Sequence, residues 1–262
     1  MVENKITFLG VGGGRIVVTN QIRATGGFMI KLGEHQIHVD PGPGAIARAR
    51  QYDVREASTD IVFVSHRHID HANDVNAVID AITLGGIHKR GILISTKAVI
   101  SGVGKESPWL NSFYKRQLKA CFVLRVGDNV RIGDLNFVAT KTQHDEPYNI
   151  GFRLEGLGIT IGYTSDTAYW PGLAKEFKGC SLLILNVLRP GRDRWKTHMC
   201  SEDAIKLLSQ VRPELAIIQH FGAKMLRANP LYEAREIQRR TGVRTIAAVD
   251  GMQISLKGLA VA

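Results

Sequence analysis

The most informative stretch of this sequence is Ile61-Val62-Phe63-Val64-Ser65-His66-Arg67-His68-Ile69-Asp70-His71. Its first four side chains form a short, uninterrupted apolar run, which is typical of a buried β-strand. Three imidazoles and a carboxylate follow this run at once. Imidazole nitrogens and carboxylate oxygens are suitable ligands for zinc, iron or manganese. Because ligands two residues apart converge on one point only where the backbone turns, the stretch predicts a buried strand followed by a metal-binding loop.

Four more candidate site residues follow strand-like runs elsewhere in the chain: Asp40, His144, Asp166 and His220. Loops at strand ends are positioned by a rigid scaffold, so they are natural places for functional side chains. We therefore expect these residues to gather at strand ends together with the histidine-rich loop.

A glycine-rich segment, residues 10–15, follows the first predicted strand. Such a turn can bring backbone N–H groups close to a phosphate. Because no helical pattern follows it, a dinucleotide-binding fingerprint is disfavoured. A tight turn between two strands is the alternative interpretation.

Length and composition predict one globular domain over residues 1–262, with 44% hydrophobic and 22% charged residues. The formal charge of +10 favours an anionic partner, such as nucleic acid, a phosphate ester or a membrane surface. No apolar run reaches the length of a membrane span, so no membrane insertion is expected. Three cysteines without a Cys-x-x-Cys pair predict a reducing, cytoplasmic compartment.

The order and spacing of the candidate ligands resemble those of the metallo-β-lactamase superfamily. The matching residues are, in chain order, Asp40, His66, His68, Asp70, His71, His144, Asp166 and His220. The resemblance covers nearly the whole chain. It implies an α/β (α+β) fold, a four-layer αββα sandwich with two sheets face to face and helices outside. It also implies a metal-dependent hydrolase with a binuclear site at one edge of the sandwich.

The resemblance further implies how a first metal is held. Its ligands look like His66, His68 and His144, with Asp166 bridging to the second metal. Asp40 looks like a residue that orients the ligands or their loops without binding metal itself. That role fits the general need for outer partners on metal-bound imidazoles.

The second metal looks held by Asp70, His71 and His220. We expect two divalent ions per chain. His/Asp sites accept zinc, manganese and iron, and zinc is the first expectation. Two such ions can bridge a hydroxide and stabilise both the attacking and the leaving oxygen. Asp70 and Asp166 could orient that hydroxide, and both are therefore predicted to be catalytic.

Two later motifs, Thr197-His198-Met199 and Gln219-His220-Phe221-Gly222, resemble the tRNA 3′-processing endonucleases (tRNase Z) and their phosphodiesterase relatives. The resemblance gives His198 a catalytic role in the phosphate chemistry, as a general acid or a charge stabiliser. The interval between His144 and Asp166 holds only two short strands and a turn. The long tRNA-gripping arm of those enzymes is therefore absent from the sequence.

A basic segment leads to His198, and its cations are predicted to contact the substrate: Arg189, Arg192, Arg194 and Lys196. This segment is the main reason to prefer a phosphodiester substrate, either a small molecule or RNA or DNA. One alternative is a thioester or lactone hydrolase of the same superfamily. A second alternative is a nucleic-acid-binding or sensory module with little turnover. A homodimer is expected by similarity, and no membrane partner is expected.

Overall fold

The computed structural model describes residues 3–259. The strands are β1 (Lys5–Phe8), β2 (Phe28–Leu32), β3 (His35–Val39), β4 (Ile61–Val64), β5 (Ile92–Ser95), β6 (Ala120–Val123), β7 (Asn129–Ile132), β8 (Leu135–Lys141), β9 (Ile150–Gly156), β10 (Ile159–Tyr163), β11 (Leu182–Arg189), β12 (Met199–Cys200), β13 (Leu215–Gln219), β14 (Thr245–Ala247) and β15 (Gln253–Ser255). The helices are α1 (Arg15–Asn20), α2 (Ala45–Gln51), α3 (Ile69–Ala72), α4 (Val75–Thr83), α5 (Lys97–Ile100), α6 (Ser112–Gln117), α7 (Leu173–Glu176), α8 (Ser201–Val211), α9 (Ala223–Ala228) and α10 (Pro230–Thr241). A short 3₁₀ helix covers Glu56–Ser58.

The chain divides into two compact units, and each contains one of the two sheets. Unit 1 comprises residues 3–11, Gln21–Arg125 and Val249–Lys257. Unit 2 comprises Gly12–Asn20, Val126–Ala248 and residues 258–259. The prediction of a single domain over residues 1–262 stays a prediction.

The sheet of unit 1 has the strand order β15-β1-β2-β3-β4-β5-β6. Strands β3 to β6 run parallel, whereas β15, β1, β2 and β3 pair antiparallel. All four residues of β4 are buried, as expected for a parallel strand covered on both faces. The apolar run Ile61–Val64 therefore forms a strand inside the sheet, with the bounds predicted from the sequence.

Helix α4 covers part of this sheet with its apolar side chains. Val75, Val78, Ile79 and Ile82 recur at the spacing of one helix face, and all are buried. They belong to one hydrophobic cluster with Val62 of β4 and other strand residues. The amphipathic spacing of these residues is therefore what places the helix on the sheet.

The sheet of unit 2 has the order β14-β13-β11-β10-β9-β8-β7, and the short strand β12 pairs with β11. Strands β10, β11, β13 and β14 run parallel to one another. Strands β7 to β10 form an antiparallel meander. The predicted hairpins of this half of the chain are therefore present. Strand β11 is buried except at its last residue.

One local expectation was wrong. Helix α1 follows the glycine-rich segment directly, although no helical pattern was recognised there. Helix α8 begins at Ser201, and Cys200 is its N-cap residue. Among the helices within residues 3–259, none is both long and apolar enough to cross a membrane.

Candidate metal centre

Two parallel strands of unit 1 bring the first set of candidate residues to one sheet edge. Val39 of β3 pairs with Phe63 of β4, so both strands end at the same level. Asp40 follows the first strand, and the loop that carries His66 follows the second. Carboxyl ends of neighbouring parallel strands are a common place for ligand sites.

Asp40 organises the side chains of this edge. Its Oδ1 accepts the backbone N–H of Ser65 at 2.7 Å, and its Oδ2 accepts the Ser65 hydroxyl at 2.8 Å. The Nδ1 of His71 lies 2.8 Å from the same Oδ2. A carboxylate beside Nδ1 holds the proton on that nitrogen, so the lone pair of His71 is on Nε2. That Asp40 orients metal ligands stays a prediction.

The same chain of hydrogen bonds continues to the next histidine. The Ser65 hydroxyl, which donates to Asp40, lies 3.0 Å from Nδ1 of His66 and accepts its proton. The lone pair of His66 is therefore also on Nε2, which lies 3.0 Å from Nδ1 of His68. In the same unit, Nε2 of His71 faces Oδ2 of Asp70 at 3.7 Å. Unit 1 thus holds four candidate metal ligands whose nitrogen and oxygen atoms are close together: His66, His68, Asp70 and His71.

In unit 2 the strand pairing brings a second set of candidates to one edge. Strands β10, β11 and β13 run parallel, so the segments after them leave the sheet on the same side. Asp166 follows β10 and His220 follows β13. The end of β8 lies at the same edge because β8 and β10 both pair antiparallel with β9, and His144 follows β8. His198 immediately precedes β12, which pairs with the end of β11.

The buried carboxylate of Asp166 is the centre of this second set. Its Oδ1 lies 3.4 Å from Nε2 of His220. Its Oδ2 lies 3.7 Å from Nδ1 of His198 and 4.0 Å from Nε2 of His144. One oxygen therefore faces one imidazole, and the other oxygen faces two. Asp166, His198 and His220 also qualify as a three-ligand group, with ligand atoms within 4.8 Å of one another.

Residues that the sequence reasoning missed hold this carboxylate in place. Asn186 donates from Nδ2 to Oδ1 of Asp166 at 2.8 Å, and its own Oδ1 accepts from Gln219 at 3.0 Å. Asn149 donates to the backbone carbonyl of Asp166 at 2.6 Å. Asn186 was visible as the one polar residue inside the apolar run Leu182–Leu188, and that interruption could have identified it.

His144 is oriented in a similar way. Its Nδ1 lies 3.1 Å from the carbonyl oxygen of Thr197, a contact that orients the ring. The neighbouring Asp145 places Oδ1 3.0 Å from Nε2 of His144. The side chain of Asp145 is 64% exposed. It adds a carboxylate oxygen that the motif comparison did not include.

The glycine-rich segment serves this site through its small size. A Cβ built on Gly13 would overlap the ring of His220. The backbone of Gly13 also donates to the carbonyl of Phe221 at 3.2 Å. Within unit 2 the glycine therefore supports the His220 loop, and neither interpretation offered by the sequence identified this role.

Three residues at these strand ends have left-handed backbone conformations: Asp40 (φ 51°), Ser165 (φ 51°) and His220 (φ 63°). Non-glycine residues rarely adopt such angles, and each costs on the order of 1–3 kcal/mol. Such backbone strain tends to occur at functional sites, where the surrounding structure holds it in place.

The donor sets of both units fit a divalent metal. The distances from Asp166 to its three imidazoles exceed ordinary hydrogen bonds, which span about 2.7–3.2 Å. Two ligands that each bind a tetrahedral zinc at 2.0–2.2 Å lie about 3.4 Å apart. The candidate metal ligands are imidazole nitrogens and carboxylate oxygens. The Nε2 atoms of His66 and His71, which carry the lone pairs assigned above, face other candidate ligand atoms.

Of the predicted substrate-binding cations, Arg189 ends β11 and the other three lie on the loop between β11 and β12; the three arginines are paired. Arg189 contacts Asp193 at 3.2 Å, Arg192 contacts Glu202 at 3.7 Å, and Arg194 contacts Asp203 at 3.5 Å. The hydrogen bond from Lys224, with the charges of Lys224 and Arg189, holds the pKa of Asp193 below its ordinary value. Lys196 is exposed. Substrate binding by the four cations stays a prediction.

The fold and the site can now be compared with known proteins. A family model described as "Beta-lactamase superfamily domain" matches residues 35–221. An uncharacterised protein of Methanocaldococcus jannaschii is 41% identical over 254 residues, which cover 96% of this chain and 95% of the relative. A ribonuclease Z of Methanopyrus kandleri is 25% identical over 153 residues, 58% of this chain and 50% of that enzyme.

Among solved structures, the metallo-β-lactamase fold protein YhfI of Bacillus subtilis superposes with a TM-score of 0.79. The match covers 97% of this chain and 100% of that chain at 21% sequence identity. The mixed α/β fold with two large sheets agrees with it. The fold class predicted from the sequence is confirmed.

Proposed function

Because the chain belongs to the β-lactamase superfamily, whose members include metal-dependent hydrolases, we propose that it hydrolyses phosphodiester bonds at a binuclear metal centre. The observation that carries the proposal is the environment of Asp166. Its buried carboxylate presents one oxygen to His220 and the other to His144 and His198. A carboxylate placed in this way is suited to bridging two cations.

The proposed ligand set follows the sequence motif. The set is His66, His68, Asp70, His71, His144, Asp166 and His220. Asp40 would orient ligands of unit 1 through its hydrogen bonds to Ser65 and His71. Zinc is the first choice of metal. A homodimer and a cytoplasmic location stay predictions.

The chemistry divides between the metals and the protein side chains. Two bound divalent ions would lower the pKa of a water molecule and polarise a phosphoryl oxygen. Asp70 and Asp166 would orient the attacking oxygen through their carboxylates. Of the three imidazoles around Asp166, that of His198 has the largest exposed fraction, 12%. His198 would donate a proton to the leaving oxygen.

Two observations support a phosphodiester substrate. One relative is a ribonuclease Z, although the similarity covers about half of that enzyme. The chain also carries a formal charge of +10, and a basic loop ends at His198. Anionic phosphate esters are attracted by such a surface.

One observation favours a second candidate, a thioester or lactone hydrolase of the same family. Three arginines of the basic loop are paired with carboxylates of unit 2. A substrate phosphate would have to compete with those carboxylates. A substrate without a phosphate would leave these pairs undisturbed.

The test is a substrate comparison on protein loaded with zinc, manganese or iron. We expect cleavage of bis(p-nitrophenyl) phosphate and little cleavage of a thioester. Asp166→Asn should lower the phosphodiester rate by about 100-fold or more, because the rate acceleration of a metal site depends on its ligands. Cleavage of the thioester alone would contradict the proposal and support the second candidate.

A matched control comes from a histidine–carboxylate pair outside the cluster. His35 contacts Asp60 at 2.6 Å at the start of β3, and both side chains are partly exposed. His35→Gln should retain the rate and the metal content of the unmodified protein. An equal loss in this variant would show that the assay reports general destabilisation.

A further inference from the structure

We propose that Trp195 is a stacking platform for a nucleobase, and that the substrate is therefore a nucleotide ester or an oligonucleotide. This inference rests on the proposed function and deepens it, because it names the group attached to the phosphate. The indole is exposed, it is paired with His198, and the loop that carries it is held by several contacts.

Trp195 is an unusually exposed aromatic residue. Its exposed fraction is 54%, although tryptophan is highly buried on average. The guanidinium carbon of Arg189 lies 4.8 Å from the ring centroid. A cation at this distance is attracted to the face of the ring and fixes its orientation. The ring is thus both held and accessible to solvent.

The loop pairs Trp195 with His198. The two residues form an isolated antiparallel bridge, and the N–H of His198 donates to the carbonyl of Trp195 at 3.4 Å. Directly paired residues of antiparallel strands have Cα atoms about 4.5–5.5 Å apart and side chains on the same face. The indole therefore leaves the same face of this turn as the imidazole that we assign to protonate the leaving group.

Several contacts within unit 2 hold the loop in place. Asp193 binds both Arg189 at 3.2 Å and Lys224 at 2.9 Å. The N–H of Gly191 donates to Glu233 at 2.9 Å. A platform fixed in this way loses little conformational entropy when a ligand stacks on it.

The same contacts change what the basic loop can recognise. Since its three arginines are already paired with carboxylates, their net attraction for a phosphate is reduced. The indole keeps its exposed surface. Recognition by base stacking then depends on the nucleoside, and every base offers a flat π-face.

The test compares two chromogenic substrates with the same leaving group. One is the p-nitrophenyl ester of thymidine 5′-monophosphate, and the other is methyl p-nitrophenyl phosphate. The readout is the ratio of the two kcat/KM values. Trp195→Ala should lower this ratio by about 5- to 150-fold, the usual effect of losing one base–aromatic stack. Trp195→Phe should retain most of the ratio.

Tyr232→Ala is the matched control, because Tyr232 is an exposed aromatic residue of α10 in the same unit. It should leave both kcat/KM values unchanged. An unchanged ratio in Trp195→Ala would overturn the proposal. An equal loss on both substrates would also overturn it, because it would indicate that Trp195 only supports His198.

A binding measurement keeps this inference distinct from the proposed function. Calorimetry can compare adenosine 5′-monophosphate with ribose 5-phosphate, even if the protein cleaves neither ester. We expect the nucleotide to bind about 5- to 150-fold more tightly, with the difference lost in Trp195→Ala. Equal affinities in the unmodified protein would overturn the inference, whereas a nucleotide preference without any hydrolysis would overturn only the proposed function.

Discussion

Gly13 shows how a residue without a side chain can determine the position of a histidine. A methyl group at this position would overlap the ring of His220. Gly13→Ala should therefore displace that imidazole. We expect metal affinity to fall about 10- to 100-fold, the range typical for loss of an outer partner. Equilibrium dialysis against zinc measures this change.

Gly179→Ala is the control for adding a methyl group to a glycine. Gly179 has open space around its Cβ position but a φ of +82°. This variant should lose about 1 kcal/mol of unfolding free energy without a change in metal affinity. Unchanged affinity in Gly13→Ala would contradict the role we assign to the glycine.

His38 is a buried histidine whose charge affects stability. Its Nδ1 lies 2.9 Å from Glu56, and its Nε2 lies 2.9 Å from the carbonyl of Gly26. Burial alone would lower the pKa of His38. The charge and hydrogen bond of Glu56, the Gly26 carbonyl and the charge of Asp40 together raise it above 6.5. The folded protein therefore retains a proton here that the unfolded chain releases.

This retained proton predicts the pH dependence of folding. The stabilisation should be complete below about pH 6.5 and should be lost as the pH rises through the raised pKa. Urea unfolding between pH 6 and pH 9 measures it. His38→Gln and Glu56→Gln should both reduce the decline. The difference in unfolding free energy between each variant and the unmodified protein should therefore shrink as the pH rises. A difference that stays constant or grows with pH would contradict this account.

At the residue scale, the sequence predicted which polar side chains follow the strands but not the residues that contact those side chains. Asp40 and His66 were predictable because a carboxylate or an imidazole follows an apolar run. Ser65 and Thr197 were not, since one acts through a hydroxyl common in loops and the other through its backbone carbonyl. Contacts of this kind depend on the folded chain.

At the scale of elements, parallel strands with matched ends determine which side chains can meet. Buried apolar runs such as β4 and β11 were recognisable because parallel strands are covered on both faces. Helix α1 was not recognisable because its six residues carry only two buried side chains, too few for a periodic pattern. The turn before it gave no helix signal either.

The start of helix α8 gives a prediction at this scale. The Asp203 carboxylate accepts a hydrogen bond from the Cys200 thiol at 3.2 Å and contacts Arg194 at 3.5 Å. Asp203→Ala should lower the unfolding free energy by about 1 kcal/mol, the usual effect of losing a cap contact. Urea denaturation measures this loss.

Lys206→Ala is the corresponding control, because it removes the partly exposed ion pair with Asp203 at 3.3 Å and the cation–π contact with Tyr169 but leaves the Cys200–Asp203 contact intact. It should change the unfolding free energy by less than about 0.5 kcal/mol. Equal losses in the two variants would contradict a special role for the helix start.

At the scale of the whole molecule, the order of motif residues predicted the family and the fold class, and both are confirmed. Individual strands could not have predicted the fold, since the pairing of β11 with β13 joins segments separated by a helix. The resemblance supplied that topology. The division of the chain into two units was not foreseen, because the chain passes between them several times.

The central claim is that the seven proposed ligands hold the metals required for hydrolysis. The most direct measurement is the metal content of protein purified without a metal-affinity tag, determined by elemental mass spectrometry. We predict about two divalent ions per chain, as in two-metal hydrolases. His66→Ala in unit 1 and Asp166→Asn in unit 2 should each lower this content. An unmodified protein without metal after reconstitution, or full metal content in both variants, would contradict the claim.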